Sequence, residues 1–519
     1  MNGPLIAGID VGTTGTKVVA FDTGGTPLAS GYVEYACTYP RPGWVEQDPN
    51  MLVEAVGQAA RRMFAAGTVR PDQITAVSVS AQRCCCVFVD KAGQPLKMIS
   101  WQDNRPAEEV EEIAARIGRD EFYDIVGLPL CGTWMLPKIL HTRRHDPRLW
   151  EQTHKVVQLQ DLILRSLGCE SFVSDRAEAP FYGAWDSRVP GWSKTILDAF
   201  DLSESLFPPV RSCGEPAGRL DAAAARRTGF AQGTLLCVGI GDQNSAALGA
   251  GIVRPGTMSV SIGTGGIATA LLEQCYRDPA RNNMITHHAV DGRWTFEGLQ
   301  NAAAGVFRWF RDQLGAAEQQ LAAQNGTNVY DELNKLIAQS PAGANGLLLL
   351  PHFAGASTPY WNSDARGAWL GLSLAHTRGD MARACIEGIT LEEKDIITSI
   401  RQAGARAELV RIMGGATKSP VWNQVQADVY GLPCETLKVT DAAVMGAAIC
   451  AASGAGLYGG LEEATLHMVH PDRRYEPDPA ASAVYQELFG LYRDAYKALE
   501  QSRVFPRLTA LAQNGPAKQ

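Results

Sequence analysis

The chain has 519 residues, 45% hydrophobic and 20% charged, with a formal net charge of −8. This is the composition of a globular protein of about two to four folding units at roughly 100–200 residues each. The acidic balance argues against a nucleic-acid partner. Apolar stretches such as GLLLLPHF stop well short of the ~18 residues a membrane span needs. The opening MNGPLIAGID carries neither the basic segment nor the apolar core of a signal peptide, so a cytoplasmic protein is expected.

In chain order, LIAGIDVGTTGTKVVAFD reads as strand, Gly/Thr turn and strand, and GGTPLASGYVEYA adds a third strand. DPNMLVEAVGQAARRMFAAG predicts a helix capped by Asp48, with Pro49 at its first position and Gly67 at its end. ITAVSVSAQ is a strand, and the cysteine triplet after it, in AQRCCCVFVD, reads as strand too. TLLCVGIGD is a buried strand that delivers Asp242 to a helix start. TMSVSIGTGGIATALLE then echoes the opening hairpin, and ANGLLLLPHF is a further strand. GDMARACIEGITLEEKDIITSIRQAG is a helix with Asp380 as cap and Gly404 as stop. Its internal Gly388 costs ~1 kcal/mol relative to alanine, which implies close packing there. ELVRIMGG is a strand, the stretch from Arg473 is a link, and SAVYQELFGLYRDAYKALEQS is an amphipathic helix, with fraying expected beyond Arg507. Strands alternating with helices give an α/β protein of two lobes, each opening on a glycine-turned hairpin.

DVGTTGTK is not a Walker loop, because a strand rather than a helix follows the glycines. It can still bind phosphate. Gly12 and Gly15 permit positive φ, so successive N–H groups can converge into an anion nest. Thr13 and Thr14 add hydroxyls, and Lys17 a positive charge. Asp10, at the strand end, could hold Mg2+, through water because that ion sheds water reluctantly. The competing reading is an ordinary hairpin. The second hairpin, with Gly263, Thr264 and Gly265, repeats the chemistry, and together the two could grip the β- and γ-phosphates of one nucleotide. At a third turn, Gly414 and Gly415 would let backbone lie flat against a base or ribose, with Ser419 beside them. Asp242 is either a helix cap or the carboxylate that accepts a hydroxyl proton in phosphoryl transfer, and one oxygen could serve each role.

These motifs, in this order and nearly end to end, resemble the FGGY carbohydrate kinases. GAWLGLSLAHTRGDMARACIE is similar to that family's C-terminal signature, with Cys385 at a position usually small or aliphatic. LPHFAGASTPYWNSDARGAWLGL is similar to it as well. The resemblance implies a two-lobed actin/hexokinase/Hsp70-like (ribonuclease H-like) α/β fold with the active site in the interlobe cleft. Residues 1–245 would form the sugar- and phosphate-binding lobe, and residues 246–519 the nucleotide-binding lobe. It implies ATP and Mg2+ as cofactors, Asp242 as general base and Asp10 on the metal side. Gly12, Thr13, Thr14, Lys17, Gly263, Thr264 and Gly265 would lie at phosphates, and Gly414, Gly415 and Ser419 at the adenosine. The expected partner is a small sugar or polyol, with no nucleic acid and no membrane, and a homodimer remains open.

Substrate signals are mixed. The segment Gln82-Arg83-Cys84 resembles the glycerol-kinase Gln-Arg-Glu-Thr, with Cys84 in place of the acid, and shares only the Gln with the xylulokinase Gln-Met-His-Gly. Trp101, Asp103 and Arg105 are similar to the xylulokinase W-x-D-x-R, and LPKILHTRRHDP to xylulokinases, with His141 where a Trp is usual. Asp242-Gln243 would hold the reacting end of the sugar. Losing the acid at position 84 argues against glycerol, because a site built to bond a hydroxyl discriminates strongly. The expectation is a ketopentose phosphorylated on a terminal hydroxyl, xylulose first. Glycerol, tetritols, ribulose and autoinducer-type dihydroxypentanediones stay as alternatives. A sugar-independent ATPase of the same fold is a more distant one.

The 12 cysteines include no C-x-x-C pair and none at zinc-finger spacing from a histidine, so neither a structural metal nor a disulfide framework is expected. Cys85 and Cys86 read as small core residues, and Cys84 as part of the sugar-site floor.

Overall fold

The computed structural model describes residues 3–514. It divides into two compact units, and the division is discontinuous in sequence. The first unit comprises Met1–Arg254, Leu271–Thr295 and Asp441–His470, and the second Pro255–Ala270, Phe296–Thr440 and Pro471–Gln519. Two later segments thus return to the first unit, which a linear reading does not reveal.

In the first unit the sheet is built on β1 (Leu5–Val11), β2 (Gly15–Phe21), β3 (Pro27–Glu34) and β4 (Ile74–Ala81). Their spatial order is β4-β1-β2-β3, with β1–β2 and β2–β3 antiparallel and β1–β4 parallel. The expected strand TLLCVGIGD is two short strands, Leu235–Cys237 and Ile240–Gly241, both parallel to β4. Register aligns Asp10 with Ser80, and Ile240 with Ser80 from the other side. Three parallel strands therefore end together, and ligands of open α/β sheets bind beyond such ends. The strands are buried because the helices α1 (Pro49–Ala65) and Ala442–Gly454 cover the sheet. Asp48 does cap α1, accepting from Asn50 N–H.

The second unit repeats this plan. Gly256–Ile262 and Gly266–Leu272 form an antiparallel hairpin, and Ala407–Met413 pairs in parallel with Gly256–Ile262. The echo between the two hairpin sequences is therefore an echo of topology. The strand Cys434–Leu437 follows, paired with Pro471–Tyr475, so the stretch from Arg473 begins inside an edge strand rather than a link.

Local expectations needed three more corrections. The Arg378–Gln402 helix starts one turn earlier in its logic: Thr377 is the cap and Asp380 its reciprocal partner in a capping box. The chain beyond Arg507 is helical to Asn514, and the rest of the tail expected to fray lies outside the described residues. And the cysteine triplet is not one strand, because the strand after β4, β5 (Cys86–Val89), begins only at the third cysteine. Gly388 behaves as expected, since a methyl there would lie 2.4 Å from the Leu349 carbonyl.

Candidate active site

Asp10 is part-buried near the end of β1, just before the first Gly/Thr turn. It accepts from Ser80 Oγ at 2.9 Å. Burial, with the negative charges of Asp242 and Asp441, pushes its carboxyl up to about 7, outweighing the Ser80 bond and the charge of Lys17. The charges of Asp242 and Asp441 thus both bear on Asp10 at the strand end. Lys17 itself is ion-paired to Asp441, a residue that sequence reasoning did not single out.

The turn between β1 and β2 is not the nest that its glycines suggested. Neither Gly12 nor Gly15 has positive φ. Instead Gly12 N–H donates to the Gly15 carbonyl at 3.0 Å, closing a tight hairpin. Gly15 is needed for space, since a methyl there would meet the Tyr32 hydroxyl at 2.3 Å. The turn is braced from outside: Tyr35 OH donates to Gly12 O at 2.7 Å and Gln47 Nε2 to Thr13 O at 2.9 Å. Trp101, 39% exposed, donates its Nε1–H to Thr13 Oγ1 at 3.0 Å. Thr14 is exposed at the tip.

Asp242 begins the Asp242–Gly249 helix, and Gly241 rather than Asp242 is the cap residue. Its Oδ1 accepts from Gln243 N–H at 2.8 Å and lies 3.5 Å from Arg83 Nε. About 26% of the side chain is open to solvent, enough to meet a small substrate. Arg83 lies over the Phe181 ring, 4.3 Å from its centre. The structure thus brings Arg83 and Asp242 together.

Gln82, Arg83, Cys84 and Cys85 form the turn between β4 and β5. Cys84 has φ +61°, an uncommon conformation for a residue with a side chain. Two buried groups hold it. Gln158 Oε1 accepts from Cys84 N–H at 3.1 Å, and Lys138 Nζ donates to Cys84 O at 3.0 Å. Lys138 also donates to Thr133 O at 2.6 Å, and burial lowers its pKa. Gln82 Nε2 donates to Gln47 Oε1 at 2.7 Å, so Gln82, Gln47 and Thr13 form a polar chain joining the two turns. Burial raises all three thiols, Cys85 to about 12, so they are protonated at neutral pH. Every cysteine of the chain is free.

Asp103 is fully buried. Its oxygens accept from Val45 N–H at 2.6 Å and from Arg105 N, Nε and Nη2 at 2.7–2.9 Å. It anchors its loop, and a sugar would reach it only by displacing these bonds.

Behind the turn, Asp161 Oδ2 accepts from Gln158 N–H at 3.0 Å and Tyr182 OH at 2.6 Å. Burial pushes this carboxyl from 3.8 up to about 7. The folded state therefore holds a proton that the unfolded chain releases, and stability present below the lower value is lost as pH rises to about 7. The expected slope from this group is about 1.4 kcal/mol per pH unit. Asp161→Asn should flatten it and should be more stable than the native protein at pH 8. Urea unfolding midpoints at pH 5 to 8 check this, and an unchanged slope refutes it.

In the second unit, Gly263 N–H donates to Gly265 O at 2.9 Å, closing the second turn, again without positive φ. The carbonyls of Gly263 and Thr264 accept from Ala303, Ala304 and Gly305 N–H at 2.9–3.2 Å, docking the turn on the start of the Ala304–Leu314 helix. Gly414 does need its freedom: φ is +83° and a methyl would lie 2.4 Å from Ile262 O. Gly415 has open space around it. Ser419 caps the Pro420–Tyr430 helix by accepting from Trp422 N–H at 3.1 Å, and donates to Asn334 Oδ1 at 2.7 Å.

Among the described residues, Glu109, His141 and His145 offer donor atoms within 4.8 Å of one another. Arg144 Nη1 already donates to Glu109 at 2.8 Å and His141 Nδ1 lies 3.1 Å from it, so the group is an ion-pair network behind the Trp44–Arg105 stack.

Residues that sequence reading missed here are Gln47, Lys138, Gln158, Glu178, Gly241 and Asp441. Of these, Lys138 lies within LPKILHTRRHDP and Gly241 within TLLCVGIGD, stretches read from the sequence for other residues.

Each unit carries a hairpin with a parallel strand beside it, and in the first a part-exposed carboxylate stands just past a strand end, the arrangement of an actin/hexokinase-like fold. The comparisons specify the family. Residues 5–249 match the profile for the FGGY family of carbohydrate kinases, N-terminal domain, and residues 258–455 that for its C-terminal domain. The chain belongs to the FGGY family of carbohydrate kinases and is an ATP-dependent sugar kinase. It is similar to a xylulose kinase of Staphylococcus epidermidis, 29% identical over 96% of this chain and 97% of that one. It is similar to glycerol kinase 2 of Streptomyces avermitilis, 29% identical over 96% of each. In fold it resembles the ligand-bound xylulose kinase of Lactobacillus acidophilus, with TM-score 0.88 and 24% identity over 97% of this chain and 100% of that one. No helix among the described residues is long and apolar enough to cross a membrane.

Proposed function

We propose that the chain phosphorylates the terminal hydroxyl of a ketopentose, xylulose first, with Asp242 as general base. The observation that carries the base assignment is Asp242 itself: solvent-open, just beyond a strand end, with Oδ1 oriented by Gln243 N–H and Arg83. Asp242 takes the hydroxyl proton as the oxygen attacks the γ-phosphorus and ADP leaves. The sugar side comprises Gln82, Arg83, Cys84, Trp101, Asp242 and Gln243, with Asp103 supporting them from its buried loop. Gly12, Thr13, Thr14, Lys17, Gly263, Thr264, Gly265, Gly414, Gly415 and Ser419 are the nucleotide-side residues of this reading. In this reading Asp10, beside the charges of Asp242 and Asp441, would hold Mg2+, which when bound would neutralise charge on the transferring phosphates. Support for a ketopentose comes from the xylulose kinase relatives, which match across nearly the whole chain.

A second reading, a glycerol or other polyol kinase, is favoured by one observation: Gln82-Arg83 followed by a glycerol kinase relative of equal identity. A coupled ADP assay over xylulose, ribulose, tetritols, glycerol, hexuloses and dihydroxypentanedione separates the two. The expected result is that kcat/KM for xylulose exceeds that for glycerol at least about a hundredfold, the discrimination that an unmatched hydroxyl site supplies. Glycerol as the preferred substrate refutes the ketopentose assignment, and ADP release indifferent to sugar refutes the sugar kinase.

A further inference from the structure

Gln47 is a buried polar residue, 3% exposed, that the proposed reaction has not used. The loop from Ser100 to Arg105 clamps the backbone just before it. Val45 N–H donates to Asp103 Oδ2 at 2.6 Å, and Val45 O accepts from Ser100 N–H at 3.0 Å. Glu46 Oε1 accepts from Arg105 Nη2 at 2.7 Å, and Glu46 exchanges both backbone bonds with Thr38, at 2.8 and 3.0 Å. Just after it, Asp48 caps α1. From this fixed point the Gln47 carboxamide spans two turns. Its Nε2 donates to Thr13 O in the first Gly/Thr turn, and its Oε1 accepts from Gln82 Nε2 in the turn after β4. The direction of the chain is forced, because a carbonyl such as Thr13 O can only accept. The same Ser100–Arg105 loop reaches Thr13 a second time, through Trp101 Nε1–H on Thr13 Oγ1. The hairpin turn itself does not depend on these bonds. It is closed by Gly12 N–H on Gly15 O, and Tyr35 braces it by donating to Gly12 O and Thr14 O. Backbone also ties the bases of the two turns, Gln82 N–H to Val11 O at 2.9 Å. What Gln47 adds is a tie two residues further out, between Thr13 and the Gln82 side chain.

We infer that Gln47 is a positioning residue for phosphoryl transfer, holding the Thr13 turn in register with the Gln82-Arg83 turn. The inference rests on the proposed reading, with Thr13 on the nucleotide side and Arg83 and Asp242 on the sugar side. In that reading one turn presents the phosphate and the other the hydroxyl that attacks it. They react only while the two turns keep their spacing, and a misplacement of about 1 Å made far from the chemistry costs about a hundredfold in rate. Gln47 touches neither reactant and acts on them through Thr13 and Gln82. Asp103 and Arg105 then serve the reaction from a distance, because they fix the backbone from which Gln47 reaches.

The test compares Gln47→Met with Asp48→Ala in the full chain, measuring kcat, KM for sugar, the ATP dissociation constant by calorimetry, and melting temperature. Gln47→Met keeps the volume and removes both bonds. It should lower kcat about ten- to a hundredfold and raise the ATP dissociation constant about three- to tenfold. Sugar KM should stay within about threefold, since Arg83 keeps its seat on Phe181. Asp48→Ala removes the neighbouring helix cap, and should lower the melting temperature while kcat of the folded protein stays within about twofold of native. A residue that served only the fold would behave like Asp48→Ala. Native kcat in Gln47→Met, or an equal kcat loss in Asp48→Ala, overturns the inference. Gln47→Asn keeps an amide but is one methylene short of spanning both partners, so it should show the same kcat loss where the methionine variant does not fold. Native kcat in that variant, or failure of both to fold, overturns the inference as well. If no sugar drives ADP release by the native protein, the sugar-kinase reading fails instead. ATP binding then decides the inference by itself: a dissociation constant for Gln47→Met raised at least about threefold sustains it, and a smaller change overturns it.

Discussion

Asp242→Asn should reduce sugar-dependent ADP formation by about a thousandfold or more, within the 10²–10⁴ that a positioned base contributes. Fold and nucleotide binding should survive. An asparagine Oδ1 still accepts from Gln243 N–H, as the carboxylate does at 2.8 Å, so the start of the Asp242–Gly249 helix keeps its bond. Arg83 keeps its seat on Phe181. What is lost is the capacity to take a proton. Single-turnover ADP release and ATP titration by calorimetry separate these effects: turnover should vanish while the ATP dissociation constant stays within about threefold. Turnover above about a tenth of native would remove Asp242 from the role of base.

Lys138→Met should cost about 2–5 kcal/mol of stability, among the largest single-residue effects in the first unit. The ammonium is fully buried and donates to two carbonyls, Cys84 O and Thr133 O. Methionine fills the volume but leaves both acceptors without a donor, at about 1–3 kcal/mol each. The Cys84 carbonyl matters more, because its residue sits at φ +61° and Lys138 and Gln158 hold it there. The melting temperature should fall by roughly 4–20 °C, at about 2–4 °C per kcal/mol. Arg83 is next in the turn, so sugar KM should rise in the fraction that remains folded. A melting temperature within 1 °C of native would show that the lysine does not support the turn.

What the sequence disclosed was local. Asp10, Asp242 and the two glycine turns are strand-end features, visible because apolar runs stop abruptly at Gly, Thr and Asp. The motifs around them were long enough to point to a family, and the family profiles agree. The anion-nest geometry was not legible, because glycine composition permits positive φ without requiring it. In both turns a short backbone bond closed the hairpin instead, and at Gly15 the glycine serves the approach of Tyr32. The cysteine triplet misled because three small apolar residues after β4 look like more strand. What breaks the strand there is not in the triplet: it is Lys138 and Gln158, more than fifty residues on, paying attention only to the backbone of Cys84. The closeness of Glu178 to Gly241 was invisible for the same reason, since it is made across the fold. The Thr377 cap, by contrast, could have been read from Thr-x-x-Asp.

The return of Asp441–His470 to the first unit has a consequence for how the protein is made. The helix Ala442–Gly454 lies so close to β1 that a methyl at Gly8 would meet the Val444 carbonyl at 2.2 Å. A nascent chain therefore leaves the ribosome with β1 and β4 formed but one face of their sheet uncovered until some 430 residues later. Domains generally fold as units during synthesis, at about 5–20 residues per second. This unit must wait at least about twenty seconds for its last piece, holding an apolar sheet face in the open, which is the interval in which a chaperone would find it.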